Sequence, residues 1–214
     1  NIEFMNDMIE KFKPKEKALP KKFNLPDELE ETFNILFVGR LTVQKGVPWL
    51  LACFKRLIKR YEDFRLILIG KNFLDATLTS LIKKDNRICH FEYIPNETIH
   101  KFYHLCDVCI LPSVPTINNE EQFGMVVLEA MACGRPTIVT NVGGLPWVVE
   151  REKTSLVIPP RSTKAIEKAI LDLYKNPEKR EKMSKYSREY VCSRYSPRVV
   201  AKKLFNAYKT AGLV

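Results

Sequence analysis

An α/β fold is what this sequence predicts: a Rossmann-like parallel sheet of about six strands flanked by helices. Two observations carry that expectation. Short apolar runs of strand length alternate with amphipathic stretches of helix length, the pattern of a parallel sheet whose crossovers are helical. The 214 residues, 45% of them hydrophobic and only 8 of them glycine, suffice for one well-buried core with helix or linker to spare.

Residues 1–33 are rich in Lys and Glu, broken by Pro14, Pro20 and Pro26, and lack a long apolar period, so they read as a linker or arm. The globular unit then spans 34–195, and 196–214 form a last helix. Strands are predicted at 35–38, 66–69, 88–93, 108–111, 137–140 and 156–158. Helices are predicted near 48–61, 74–84, 97–105, 125–132 and 146–152, followed by three more, the last two over 177–193 and 197–210. Asn96, Ser162, Asn176 and Ser196 are the expected caps, the last two each followed by a proline suited to a first helical turn. The two final helices follow the last strand with no further strand to pack beneath, so they cap the sheet or reach another domain.

The 35 Lys and Arg against 25 Asp and Glu leave a formal charge of +10, which favours anionic partners such as phosphate groups or an acidic membrane face. Nucleic acid is not an expected partner, because no basic helix is interleaved with aromatics and no nucleic-acid motif occurs. Six cysteines at irregular spacings fit a reducing compartment better than a disulfide framework. No apolar run approaches the roughly 20 residues that span a bilayer. The chain therefore reads as cytoplasmic, with peripheral contact at the inner membrane face compatible with its charge. It begins at Asn1 rather than Met, so sequence upstream is expected.

In an open α/β sheet, ligands bind beyond the carboxyl ends of the strands, where helix N-termini present free N–H groups. The loop after the first strand, Gly39-Arg40-Leu41-Thr42-Val43-Gln44-Lys45-Gly46, places two cations between a strand and a helix. It matches neither the dinucleotide fingerprint nor a Walker A loop, so a phosphate site there depends on the Arg40 and Lys45 side chains as well as backbone. On residue type alone these are equally ordinary solvent-facing charges.

The loop after the fourth strand leads to Glu121, Gln122, Phe123 and Gly124, then to a helix carrying Glu129. Gly124 marks the helix start, putting Glu121 at its mouth and Glu129 in an early turn. The helix is otherwise apolar, so Glu129 needs a partner, and a carboxylate suits the paired hydroxyls of a ribose. Both carboxylates are also compatible with simple complementation of the helix dipole. A third loop, Asn141-Val142-Gly143-Gly144-Leu145-Pro146, is either a tight turn or a ligand contact.

Taken together, GRLTVQKG, LPS, the Glu-x7-Glu of EQFGMVVLEAMACGRPTIVT, and NVGGLP closely resemble the retaining GT-B glycosyltransferases of glycosyltransferase family 4. The resemblance covers about 12–208 and implies the C-terminal half of a GT-B fold, the half that holds a nucleotide-sugar donor. It implies that Gly39, Arg40 and Lys45 meet the donor diphosphate, that Glu121 contacts the transferred sugar, and that Glu129 holds the ribose. The backbone of Phe123, Gly124, Met125 and Val126 would face sugar and diphosphate, and Tyr93, Ile94 and Pro95 would lie beside the base. Residues 6–14 resemble the interdomain linker, and the last helix one that crosses back to an N-terminal acceptor domain. A fragment without that domain is expected to be inactive. Trp147 stands where the family has an acidic residue, and Asn72 where a glycine is common.

The resemblance thus implies a hexosyltransferase using a UDP- or GDP-linked sugar and a glycan or glycolipid acceptor, with Glu121, Arg40 and Lys45 as its catalytic groups. No Asp-x-Asp occurs, and Arg40, Lys45 and a helix N-terminus can stabilise the leaving diphosphate, so no metal cofactor is expected. His90, His100 and His104 lack a catalytic partner pattern. Cys106 and Cys109 enter a strand with no second pair, and read as buried thiols. The competing readings are a non-catalytic module docking a partner or anionic membrane, and a GT-B sugar-nucleotide epimerase.

Overall fold

A computed structural model describes residues 31–116 and 120–213, so nearly all of the predicted arm lies outside the described residues. The strands are β1 (Phe33–Val38), β2 (Phe64–Ile69), β3 (Ile88–Phe91), β4 (Val108–Leu111), β5 (Thr137–Thr140) and β6 (Ser155–Ile158). They form one sheet in the order β3-β2-β1-β4-β5-β6, with each neighbouring pair parallel. The expected six-stranded parallel sheet is therefore present. Phe33 pairs with Phe64 and Val38 with Ile69, while Ile35 faces Val108 across the centre.

The helices are α1 (Val47–Leu57), α2 (Ala76–Lys84), α3 (Asn96–Leu105), α4 (Met125–Ala132), α5 (Leu145–Val148), α6 (Thr163–Lys175), α7 (Pro177–Tyr195) and α8 (Pro197–Thr210). α1 packs against α2 and α6, and α4 packs against α3 and α7, so helices cover both sheet faces. This explains why β1 and β4 are apolar runs rather than alternating ones: every residue of both strands is buried. Glu167 of α6 pairs with Arg56 of α1 and with Arg60 in the turn that follows it, tying the two helices of one face together. Below them, Phe33, Phe64, Tyr61 and Tyr174 meet at ring distances of 4.7–5.6 Å.

Some boundaries differ from expectation for local reasons. β3 stops at Phe91, short of the predicted 93, and the chain leaves the sheet toward Pro95, which caps α3 in place of Asn96. α5 covers only Leu145–Val148 of the predicted 146–152. Val149 is already extended, Glu152 has a φ of 63°, and the Glu150 N–H is satisfied by Thr154 Oγ1 at 2.9 Å instead of by helix. Ser162 caps α6 as expected, accepting from the Ala165 N–H. Asn176 turns back to donate to Asp172, and Ser196 makes no side-chain cap bond. Asp75 caps α2 through the Leu78 N–H, so the helix begins at Ala76, two residues later than expected.

The two C-terminal helices behave differently. α7 lies along α4 and α6, whereas α8 meets α7 and leaves every residue from Val200 to Leu213 exposed. No helix among the described residues is long and apolar enough to cross a membrane.

Candidate functional site

The sheet order reverses between β1 and β4: the chain leaves β1 toward β2 and leaves β4 toward β5. Such a switch point opens a crevice at the carboxyl ends of the two strands. The loops that enter it are the two singled out in the sequence, 39–46 and, as described over 112–116 and 120–124, the one after β4.

The first loop is built on close backbone contact. The Gly39 N–H continues the β1 ladder to the Ile69 carbonyl at 2.8 Å, and Leu41 reaches Lys71 at 2.9 Å. Asn72 closes this corner, accepting from the Leu74 N–H and donating to Thr79 Oγ1, both at 2.9 Å. Gly46 caps α1 with a φ of 73°, and a Cβ there would lie 1.8 Å from the Pro112 carbonyl oxygen. The second loop thus rests directly on the first, and the Val114 N–H donates to the Gln44 carbonyl at 2.8 Å.

This contact sets the side chains. Lys45 Nζ pairs with Glu121 Oε2, and the same oxygen accepts from Ser113 Oγ at 3.0 Å. Ser113 is itself fixed by Thr140, whose hydroxyl donates to the Ser113 carbonyl at 2.5 Å. Arg40 is exposed and has no side-chain partner among the described residues. Arg40, Lys45, Ser113 and Glu121 line one cavity of about 380 Å³, together with Gln44, Val114, Glu120 and Gln122. A larger cavity, about 810 Å³, opens at the opposite end of the sheet around Lys153, Lys179 and Tyr186. There Lys153 pairs with Glu150, and Lys179 with Asp172 and Glu152. The smaller cavity is where the chemistry concentrates.

The third loop backs the second. The Gly144 N–H donates to the Glu121 carbonyl at 2.8 Å, and a Cβ on Gly143 would lie 2.1 Å from that same oxygen. The two glycines therefore hold the main chain of Glu121, which a reading as tight turn or ligand contact did not distinguish. Gly124, with a φ of 69°, caps the start of α4 as expected.

Glu129 does not line this cavity. Its Oε2 accepts from the Tyr103 hydroxyl at 2.6 Å, and its Oε1 has no hydrogen-bond partner among the described residues. Burial raises the Glu129 carboxyl above the ordinary range, and the Tyr103 bond partly offsets this. Of the remaining sequence candidates, Tyr93 is 76% exposed while Ile94 belongs to the core, so only the backbone of Ile94 can face a ligand. Phe123 and Met125 are exposed beside the helix mouth, and Val126 is half-buried. Sequence reasoning assigned no role to Gln44, Ser113, Val114, Glu120 or Gln122. The available signal for Ser113 was its place two residues after β4, at the switch point.

The histidines and cysteines lie apart from the cavity. His90 Nε2 sits 2.9 Å from the Gly70 carbonyl, and His100 and His104 meet edge to face on α3. Cys106 and Cys109 are free and buried, with burial pushing Cys106 up to about 12 and Cys109 well above its usual range, so neither is a thiolate nucleophile.

Comparison with known proteins decides the family. The family model for glycosyl transferases group 1 matches residues 20–190. This chain belongs to the group 1 glycosyltransferases. It is 31% identical over 180 residues to an uncharacterized glycosyltransferase of Methanocaldococcus jannaschii, covering 83% of this chain and 45% of that protein. It is 31% identical over 185 residues to spore coat protein SA of Bacillus subtilis, covering 82% and 48%. The group 1 domain thus spans about half the length of the curated relatives it matches.

Solved structures agree on the fold. Sucrose-phosphate synthase from Thermosynechococcus elongatus superposes with a TM-score of 0.79 at 27% identity, covering 95% of this chain and 50% of that one. The C-terminal domain of the group 1 glycosyltransferase LpcC from Francisella tularensis superposes with a TM-score of 0.73 at 22% identity, covering 87% and 97%. The fold is that of the C-terminal half of a GT-B glycosyltransferase.

Proposed function

We propose that this group 1 domain is the donor-binding half of a retaining, metal-independent glycosyltransferase of family 4, which moves a hexose from a UDP- or GDP-linked donor to a glycan or glycolipid acceptor. The observation that carries the reading is the meeting of Arg40, Lys45, Ser113 and Glu121 in one cavity at the β1/β4 switch point, next to the N-terminus of α4.

Cleaving a sugar–diphosphate bond leaves negative charge growing on the departing phosphate. Positive groups brought to that charge lower the barrier. Arg40, Lys45 and the α4 N-terminus supply them from this chain alone, which is why we propose that no metal is required. Glu121, held at the helix mouth, meets the hydroxyls or the developing cationic ring of the sugar, and Glu129 accepts from the ribose through Oε1. Anabaena HepE has been solved with UDP and with UDP-glucose, which makes a uridine diphosphate donor the first to test here.

The acceptor then comes from sequence outside this half. α8 is suited to meet such a second domain, since Val200, Leu204, Phe205 and Tyr208 expose apolar surface along it.

Calorimetric titration with UDP, GDP and ADP, with and without magnesium, tests the reading. One of the three is expected to bind saturably without the metal, and Arg40→Ala and Lys45→Ala are each expected to weaken it roughly tenfold. Silence toward all three at millimolar concentration removes the proposal.

A further inference from the structure

Lys45 is already engaged inside the domain. Its ammonium pairs with Glu121 Oε2, the side chains of this pair being only 26% and 13% exposed. Any anion that draws on Lys45 must compete with that carboxylate. Arg40, in the same cavity, faces no such competitor among the described residues.

The carboxylate, by contrast, is not free to follow the lysine. Glu121 Oε2 keeps a second donor in Ser113 Oγ at 3.0 Å, and the Glu121 carbonyl is held by the Gly144 N–H at 2.8 Å. Ser113 is anchored in turn through its carbonyl to the Thr140 hydroxyl. Lysine has a long, flexible stem and three donors, so it is the partner that can turn.

We infer that Glu121 is a built-in competitor for Lys45: its carboxylate stands in for the phosphate that an incoming diphosphate must put there, and Ser113 retains it in place when the ammonium turns away. The inference rests on the proposed diphosphate site and names how that site discriminates. A nucleotide sugar that separates the pair offers the released carboxylate sugar hydroxyls as new donors. A bare nucleoside diphosphate offers none. The competition therefore falls harder on the product than on the donor, and re-forming the Lys45–Glu121 pair favours departure of the nucleoside diphosphate. Ser113 acts here as a positioning residue.

Titrations of the full chain with UDP, UDP-glucose, GDP, GDP-mannose and inorganic pyrophosphate test this, using wild type, Glu121→Gln and Glu121→Ala. Glu121→Gln is expected to bind the nucleoside diphosphate and pyrophosphate roughly 3- to 10-fold more tightly than wild type, with most of the preference for the sugar nucleotide lost. Ser113→Ala is expected to lower that preference and Ser113→Thr to restore it. Equal or weaker diphosphate binding by both Glu121 variants overturns the competition, and leaves the donor-site proposal standing as long as wild type binds nucleotide. Should wild type bind pyrophosphate but no nucleotide, the donor-site reading fails, and a tighter Glu121→Gln complex with pyrophosphate still supports the competition. A wild type silent to every probe overturns both. An unaltered preference in Ser113→Ala removes the retaining role of that hydroxyl.

Discussion

Tyr103 donates its hydroxyl to Glu129 across 2.6 Å, linking α3 to α4 through a phenol that is itself fully buried. A carboxylate in an apolar helix is costly to desolvate, and one hydrogen bond recovers part of that cost. The pair therefore holds an ionisable group where stability alone would not favour it.

Replacing either partner separates these roles. Because burial raises the folded-state pKa of Glu129, its ionisation costs stability as pH rises through that value. Glu129→Gln keeps an acceptor for Tyr103 and removes the charge, so at neutral pH it is expected to be at least as stable as wild type. Its nucleotide affinity should fall. Tyr103→Phe strands the buried oxygen and is expected to cost about 1–3 kcal/mol. Urea denaturation at neutral pH compares the two; a Glu129→Gln variant much less stable than wild type contradicts the account.

Gly144 offers a test of the support beneath Glu121. Its φ of −80° and ψ of −12° are open to any residue, so alanine meets no backbone objection there. Its Cβ, however, would lie 1.8 Å from the Gln122 carbonyl oxygen. Gly144→Ala is expected to push the 121–123 segment outward, costing about 1–3 kcal/mol in thermal melts. Nucleotide binding should drop by roughly tenfold or more, although Gly144 does not line the cavity. Wild-type stability and affinity together would show that the segment has room to yield.

His104 predicts an acid sensitivity. Its ring is 5% exposed, and burial, followed by the charge of Arg135, lowers its pKa from 6.5 to about 4. Between those values the unfolded chain binds the proton more readily than the folded one, so stability falls as pH drops from about 6.5 to about 4, then levels off. The full effect is on the order of 3 kcal/mol. His104→Gln should flatten the difference in urea midpoint between pH 7 and pH 4.5, and an undiminished slope in that variant would assign the sensitivity elsewhere.

Much of this molecule is legible in local sequence. A strand covered on both faces must be apolar throughout, so β1 and β4 stand out as short runs, and the loops that follow them are found by counting from their ends. That is why Arg40, Lys45 and Glu121 could be singled out without knowing how the loops meet. Helix ends were less legible, because capping competes with whatever else a polar side chain can reach. Asn176 turns back to Asp172, and the stretch after Val148 leaves helix for a turn closed by Thr154.

The sequence by itself determined the order of the elements, the strand-end placement of the charged loops and the apolar character of the helix bearing Glu129. Only the tertiary structure decided who partners whom: Lys45 with Glu121, 76 residues apart, Tyr103 with Glu129, and the two glycines of the third loop with the main chain of the second. The physical reason is that hydrophobic periodicity and turn chemistry act over a few residues. Those contacts arise only when a parallel sheet of fixed register carries three separate loops to the same end, within hydrogen-bond reach of one another.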